Sequence, residues 1–327
     1  MARTFGRAVV TGGAGFLGSL TCRMLLERGT EVVCLDNLLT SAGEAPDGGI
    51  DFRRQDVTEP FDVGGPVDLV LHLASPASPA DYHRYPLCTL EAGSAGTRNA
   101  LRFAEDKGAR FVLASTSEVY GDPEVSPQRE GYPGNVDPVG PRSVYDEAKR
   151  YAEALTAAYG RDGRVDTGIA RIFNSYGPGM RPDDGRMVPT FCCQALRGEP
   201  VTVTGDGRQT RSLCYVSDTV RGLLLLAASD LPGPVNIGNP DEATVGEIAK
   251  RIISLAGSSS PVRYVPRPPG DPRMRRPDIT LARCQLGFEP LVGWREGIRE
   301  TLDWFRRQIG IPAPRVPEPV RAAEGSR

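Results

Sequence analysis

Tyr145 and Lys149 carry side chains suited to removing a proton from an alcohol. They are four residues apart in the segment 143–149, so on a helix they lie one turn apart on the same face. A phenol has a reference pKa of about 10. An ammonium group beside it favours the phenolate and makes Tyr145 a candidate general base. The same spacing also occurs on exposed helices without chemistry, so the hypothesis depends on the elements around the pair.

A glycine-rich turn near the N-terminus predicts a dinucleotide site. Gly12, Gly13, Gly15 and Gly18 follow a short apolar strand, and a helical stretch and a second strand ending at Asp36 come next. Glycines allow a tight turn and close approach of a pyrophosphate to the helix N-terminus. An acid at this distance from the turn binds the adenosine ribose hydroxyls and repels a 2′-phosphate, which favours NAD over NADP. The predicted cofactor-binding residues are Gly12, Gly15, Phe16, Leu17, Gly18, Asp36, Asn37, Asp56, Val57, Leu73, Ser75, Tyr145 and Lys149.

Strands alternate with helices through the first half of the chain. This pattern predicts the α/β class, with a doubly wound parallel (Rossmann) sheet whose ligands bind at the carboxyl ends of the strands. We expect residues 1–174 and about 212–239 to form the NAD-binding domain. From Gly177 the segment becomes polar and rich in turns, so residues 175–211 and about 240–310 are predicted to form a smaller, discontinuous nucleotide-sugar-binding domain. Residues 311–327 have little to bury and are predicted to be a disordered tail.

The composition excludes several classes of function. The formal charge is −2 at pH 7, which favours neither nucleic acid nor a membrane surface. Only two histidines, His72 and His83, are present, so we predict neither a histidine-based triad nor a metal site. The seven cysteines are odd in number and lack a CxxC pair, which favours the reducing cytoplasm. The polar first residues predict no signal peptide.

The motifs resemble those of the extended branch of the short-chain dehydrogenase/reductase superfamily and, within it, the UDP-glucuronate decarboxylases (UDP-xylose synthases). The superfamily resemblance rests on Thr116, Tyr145 and Lys149 together with the nucleotide-binding turn. The closer resemblance covers most of residues 7–305 and rests on six segments: residues 73–79, 113–123, 140–150, 170–174, 209–218 and 271–279.

The resemblance implies a redox-neutral decarboxylation with NAD recycled in place. Tyr145 would remove the C4 hydroxyl proton while the hydride passes to NAD⁺, with Lys149 lowering the pKa of Tyr145 and Thr116 bonding the reacting oxygen. The C4 ketone makes the C5 carboxylate a β-keto acid, so CO₂ can leave before C5 is protonated and the hydride returns. Arg275 would bind the carboxylate and Glu118 would act at C5. The implied substrate-binding residues are Ser117, Asn174, Arg181, Arg211 and Arg275.

Simpler interpretations of these residues stay open at this point. Glu118 could be an acid at the start of a helix, and Arg275 could be a solvated member of an arginine-rich loop. The chain also departs from the family at Glu91, Gly93 and Gly179, where relatives usually carry Lys, Asn and Arg. Glu91 would reverse a charge near the sugar site, or it could be solvated with the loop paired differently. On the first interpretation we expect some ketopentose and NADH to escape before reduction.

Two kinds of alternative function are compatible with the same motifs. One is another extended-branch enzyme, either a UDP-glucuronate 4-epimerase or a decarboxylase that stops at the 4-ketopentose. The other is a non-catalytic NAD-sensing protein, which the presence of both Tyr145 and Lys149 disfavours. The helices predicted at 87–107 and 143–159 resemble those that pair in the family's four-helix interface, so we expect a homodimer.

Overall fold

The computed structural model describes residues 3–41, 48–268 and 270–311. The tail predicted for 311–327 therefore lies, apart from Ile311, outside the described residues. Among the described residues, none of the helices is both long and apolar enough to span a bilayer.

The described elements alternate along most of the chain. The strands are β1 (Arg7–Thr11), β2 (Glu31–Asp36), β3 (Asp51–Arg54), β4 (Leu69–His72), β5 (Arg110–Thr116), β6 (Thr167–Ile172), β7 (Ser175–Tyr176), β8 (Val201–Thr204), β9 (Thr210–Ser212), β10 (Cys214–Tyr215), β11 (Val235–Ile237), β12 (Glu242–Thr244) and β13 (Val262–Val265). The helices are α1 (Phe16–Leu26), α2 (Pro79–Arg84), α3 (Pro86–Glu91), α4 (Thr97–Lys107), α5 (Ser143–Arg161), α6 (Met187–Arg197), α7 (Val216–Ala227), α8 (Val245–Ala256), α9 (Thr280–Leu286) and α10 (Trp294–Gln308). A π-helical turn covers Ala92–Gly96, and a 3₁₀ turn covers Ser117–Tyr120.

Seven parallel strands form the main sheet, in the order β11-β6-β5-β4-β1-β2-β3. Successive side chains of a strand point to opposite faces. In β1, Ala8 and Val10 accordingly join the core under α1 and α7, whereas Val9 joins the core under α4 and α5. The chain runs outward from β1 to β3 and then places β4 on the other side of β1. This confirms the predicted doubly wound sheet, and its ligand crevice is expected where β1 and β4 diverge.

Helix α5 carries the predicted catalytic pair. Its buried face includes Tyr145, Ala148, Lys149 and Ala152, which recur at helical spacing and pack toward the sheet. The predicted helix at 87–107 is helical throughout, but a π-helical turn separates α3 from α4. A Cβ on Gly93 would lie 2.7 Å from both the Cβ and the carbonyl oxygen of Ala148, so glycine permits this close approach of the turn to α5.

The later part of the chain has a separate apolar core. Residues from α6, α8 and α10 pack around Phe191, Ile248, Ile298 and Phe305. Helix α8 begins with the predicted capping box, in which Thr244 accepts from the Glu247 amide and the Glu247 carboxylate accepts from the Thr244 amide. Strand β13 lies in a segment where the sequence indicated only proline and arginine enrichment, and it pairs with β8. The division into two domains stays a prediction.

Candidate active site

A cavity of about 1160 Å³ lies at the carboxyl edge of the main sheet. Every cofactor, substrate and catalytic residue predicted from the sequence lines it. The glycine turn after β1, the end of β4, the end of β5 and the start of α5 converge there, because parallel strands bring their carboxyl ends to one edge. The cavity therefore brings the predicted residues together, and their individual roles stay predictions.

The glycine turn leaves the space that a dinucleotide needs. Gly12 has φ +70°, and a Cβ there would lie 2.7 Å from the Ala74 backbone. A Cβ on Gly18 would lie 2.1 Å from the Gly12 carbonyl oxygen. Gly15 caps the N-terminus of α1, and among the described residues no side chain accepts a hydrogen bond from the first free amides of the helix. This open cradle fits the pyrophosphate of NAD.

Asp36 ends β2 at the rim of this cradle. Its carboxylate accepts hydrogen bonds from the amides of Ala14, at 3.0 Å, and Leu38, at 2.8 Å. Burial raises the pKa of Asp36, and these two backbone donors oppose the rise. The side-chain amide of the next residue, Asn37, donates to the Asp56 carboxylate over 2.9 Å. The two backbone hydrogen bonds fix the orientation of the Asp36 carboxylate. They suit it to accept hydrogen bonds from the ribose hydroxyls as well.

Tyr145 and Lys149 face the end of β5. The Lys149 ammonium donates to the Ala114 carbonyl oxygen over 2.9 Å and lies 5.9 Å from the centroid of the Tyr145 ring. Burial lowers the pKa of Lys149 to about 8, and the Glu153 carboxylate opposes this. Burial, followed by the charge of Glu118, raises the pKa of Tyr145 above its ordinary value, while the Thr116 hydroxyl lowers it. Burial thus dominates the pKa of Tyr145, and the lowering by Lys149 predicted from the sequence stays a prediction.

Glu118 forms ion pairs with two arginines, Arg142 and Arg275. Burial acts to raise the pKa of Glu118, but the charges of Arg275 and Arg142 outweigh burial and bring the pKa to about 2. Arg275 is only 2 % exposed and also donates to Ser117 Oγ and the Gly121 carbonyl oxygen. Arg275 is thus a buried member of the site rather than a solvated loop residue.

The remaining predicted substrate residues lie elsewhere on the cavity wall. Asn174 follows β6, and its buried Nδ2 has no hydrogen-bond partner among the described residues. Arg211 donates to the Asp271 carboxylate over 3.1 Å, and Arg181 pairs with Asp81. The open amide of Asn174 is available to a ligand, whereas both arginines are already paired within the protein.

Three residues of the site were not singled out from the sequence. Tyr82 stacks on Tyr145 with ring centroids 5.4 Å apart and planes inclined by 8°. Arg142 pairs with Glu118, and Asp146 is a buried carboxyl next to Tyr145. The positions of Arg142 and Asp146 beside Tyr145 are a sequence signal for involvement. Tyr82 reaches the site only through the packing of α2 and offers no such signal.

Comparisons with known proteins agree with this geometry. Residues 8–238 match the model of the NAD dependent epimerase/dehydratase family. UDP-glucuronic acid decarboxylase 1 of Danio rerio is 46 % identical over 323 residues, which cover 97 % of this chain and 77 % of that protein. UDP-glucuronic acid decarboxylase 6 of Arabidopsis thaliana is 48 % identical over 312 residues, which cover 94 % of this chain and 90 % of that protein.

Solved structures give the same result for the fold. The UDP-glucose 4-epimerase of Thermus thermophilus, solved in complex with NAD, superposes with a TM-score of 0.81 and 32 % identity, covering 92 % of this chain and 99 % of that one. The overall fold is thus matched over most of the chain. On this evidence the chain belongs to the NAD dependent epimerase/dehydratase family.

Proposed function

We propose that this protein is an NAD-dependent decarboxylase that converts UDP-glucuronate to UDP-xylose. The observation that carries the proposal is the arrangement of Glu118 between Arg142 and Arg275 beside Tyr145. A guanidinium binds a carboxylate well. Because Arg275 is already paired with Glu118, it can orient the substrate carboxylate without binding it so tightly that loss of CO₂ becomes harder.

The residues of the chain divide the chemistry between them. When bound on the glycine cradle, NAD would accept the C4 hydride and make the same hydride available for the return step. Tyr145 takes the C4 hydroxyl proton, and the Thr116 hydroxyl stabilises the developing oxygen charge. Lys149 supplies a positive charge on the same face of α5. The buried stack of Tyr82 on Tyr145 fixes the orientation of the phenol and excludes water from it.

Two of the departures from the family, Glu91 and Gly179, lie at the cavity. Both line it, whereas Gly93 is buried against Ala148 and is not part of the cavity wall. Glu91 is an exposed residue of that wall, and its carboxylate stands where the family resemblance implies a positive charge beside the sugar. We therefore propose that some UDP-4-ketopentose leaves before reduction. A steady rise in NADH absorbance during turnover is expected, and its absence with UDP-xylose as sole product would contradict this part.

Mass spectrometry of the sugar nucleotide tests the main proposal. The enzyme is incubated with UDP-glucuronate and NAD⁺. Loss of CO₂ alone is expected for UDP-xylose, and loss of CO₂ with two hydrogens for the ketopentose. An unchanged mass with a new retention time would instead show epimerisation at C4. An unchanged mass and retention time would refute a catalytic role toward this substrate.

A homodimer formed through α3, α4 and α5 is the proposed assembly. Helices α3 and α5 pack together and expose Leu87, Leu90 and Tyr151, with Leu87 71 % exposed. Exposed apolar side chains on adjacent helices favour a protein contact over solvent. All seven cysteines are free thiols, which supports the proposed cytoplasmic location. The two domains proposed are residues 1–174 with 212–239, and residues 175–211 with 240–310.

A further inference from the structure

Asp146 is a buried carboxyl that the mechanism above does not use. It is 5 % exposed, and its Oδ1 has no hydrogen-bond partner among the described residues. It follows Tyr145 directly but does not itself line the cavity. Buried carboxylates are normally paired or hydrogen-bonded, because removing a charge from water is costly. An unpaired carboxyl beside an active site therefore calls for a functional account.

Charged or titratable groups from several elements influence the Asp146 carboxyl. Glu118 comes from the 3₁₀ turn, Arg142 from the start of α5 and Arg275 from the loop before α9, while Glu147 is the next residue on α5. From α2, the Tyr82 phenol is close enough for the Asp146 charge to raise its pKa, and its hydroxyl also lacks a partner among the described residues. Helix α3, packed against α5, carries Cys88 and Glu91 on the cavity wall.

Asp146 and Glu118 differ sharply in how easily their carboxyl groups take a proton. Burial and then the charge of Glu118 raise the pKa of Asp146 to about 7, although Arg142 and Arg275 oppose the rise. Glu118 forms ion pairs with both arginines, and its pKa is about 2. A second carboxylate entering the cluster raises the pKa of both acids through like-charge repulsion. Asp146 is therefore the first of the two to become protonated near neutral pH.

Decarboxylation itself requires a proton. The bond between C5 and the carboxylate breaks, its electron pair passes to the C4 oxygen as an enolate, and CO₂ leaves. The pair then returns to C5 and forms a C5–H bond with a proton, which restores the C4 ketone. One proton is consumed for each CO₂ released. This proton neutralises the negative charge of the substrate carboxylate, and it comes from the site.

We propose that Asp146 takes up a proton when a carboxylate-bearing UDP-sugar binds, and so stores within the site the proton that the decarboxylation consumes. This inference rests on the proposed function. With Asp146 neutral, the net +1 charge of Glu118, Arg142 and Arg275 is balanced by the substrate carboxylate. With Asp146 ionised, the same cluster would carry an excess negative charge once the substrate is bound. Asp146 is thus a positioning residue: it balances the charge of the cluster and holds the proton, and it does not touch the sugar.

Calorimetry measures this proton directly. UDP-glucuronate is titrated into the Tyr145→Phe variant loaded with NAD⁺, which binds without turning over, in buffers of different ionisation enthalpy. At pH ~8 most of the Asp146 population is ionised beforehand, so uptake approaching one proton per site is expected. At pH ~5.5 Asp146 is already protonated, so uptake falls toward zero. UDP-glucose, which lacks the carboxylate, should bind without this uptake.

Matched variants assign the proton to a residue. In the same background, Asp146→Asn should abolish the uptake at pH ~8, whereas Glu147→Gln, on the next residue of α5, should retain it. Uptake that persists in Asp146→Asn would overturn the inference. Uptake that grows as the pH falls below ~5, as titration of Glu118 would produce, would overturn it as well. The latter measurement needs no Asp146 variant, so the inference can be overturned even if Asp146→Asn does not fold.

The wild-type protein separates this inference from the proposed function. Decarboxylation of UDP-glucuronate without proton uptake on binding would refute only the role of Asp146. Absence of decarboxylation would refute the proposed function whatever the proton balance. Failure of UDP-glucuronate to bind at all would refute both.

Discussion

At the scale of single residues, burial controls the chemistry of the site more than sequence spacing does. Lys149 lies one turn from Tyr145, but its ammonium is held by the Ala114 carbonyl and its own pKa falls to about 8. The Tyr145 pKa rises because the phenol is buried and faces Glu118. Tyr145 thus receives no net lowering of its pKa from the described residues, and its value as a base rests on its position beside Thr116.

Replacing Tyr145 by Phe tests that position. The variant keeps the ring that stacks on Tyr82 and loses only the hydroxyl. We expect decarboxylation to fall by at least ~10²-fold, the low end for loss of general acid–base catalysis. NAD⁺ affinity, measured by fluorescence titration, should change by less than ~3-fold, since the glycine cradle is untouched. Activity within a few-fold of wild type would remove Tyr145 from the mechanism.

Asp146 gives a second residue-scale prediction, on stability and pH. Its pKa is raised in the folded protein to about 7 from 3.8, so the folded state holds this proton more tightly than the unfolded chain. The stabilising contribution is fully present below the unfolded pKa and is lost as the pH rises through about 7. Asp146→Asn has no carboxyl group to ionise, so it does not lose this stability as the pH rises. It should therefore be more stable than wild type at pH ~8, by up to about 4 kcal/mol.

Thermal unfolding at two pH values tests whether Asp146→Asn gains stability relative to wild type as the pH rises. The melting temperature of Asp146→Asn relative to wild type should rise by several degrees between pH ~4 and pH ~8. Glu147→Gln is the control and should show no such pH-dependent gain. A variant less stable than wild type at pH ~8, with a difference independent of pH, would show that Asp146 is structural rather than titrating.

At the scale of elements, the contact between the π-helical turn and α5 positions the proposed catalytic pair, Tyr145 and Lys149. The turn presses against Ala148, which lies between Tyr145 and Lys149 on α5. A π-helical turn widens the helix by one residue and is frequent near functional sites. The glycine at position 93 permits this approach. Its substitution should therefore disturb the geometry of the site directly.

Gly93→Ala should destabilise the protein by overpacking. Its Cβ would lie 2.7 Å from the Cβ and the carbonyl oxygen of Ala148, so α5 or the turn must move. We expect a loss of about 1–3 kcal/mol in the free energy of unfolding, measured with urea, and a reduced turnover number. Gly131→Ala is the control, because no atom lies within 4 Å of the added Cβ.

A double variant locates the clash. Ala148→Gly removes the opposing Cβ but leaves the carbonyl oxygen at 2.7 Å, so it should restore only part of the stability lost in Gly93→Ala. Full restoration would mean that the two Cβ atoms alone cause the strain. No loss in Gly93→Ala would mean that the turn moves freely away from α5.

At the scale of the whole molecule, the proposed dimer depends on the exposed apolar side chains of α3 and α5. Leu87→Lys should place a charge in that contact and shift the protein toward monomer in sedimentation velocity. Leu291→Lys is the matched control, because Leu291 is similarly exposed, at 73 % against 71 % for Leu87, but lies outside the proposed interface. A wild-type protein that sediments only as monomer at micromolar concentration would contradict the proposal.

The parallel sheet and the nucleotide site were predictable from the sequence, because both depend on local signals. Apolar strands, the glycine turn, the acid at Asp36 and the capping box at Thr244 and Glu247 each act through neighbouring residues. Their bounds shift by a few residues in the structure, as expected where helix ends are set by caps and contacts. Strand β13 was missed because its residues become a strand only by pairing with β8.

The sequence by itself thus determined which chemistry is available: a candidate tyrosine base, a nearby lysine and a dinucleotide cradle, with a carboxylate-binding arginine implied by the family resemblance. Only the tertiary structure decided the charges of those groups. It placed Arg142 and Arg275 on Glu118, stacked Tyr82 on Tyr145 and left the buried Oδ1 of Asp146 without a hydrogen-bond partner among the described residues. The physical reason is that a pKa depends on burial and on charges brought from distant segments, and neither is encoded in the spacing of residues along the chain.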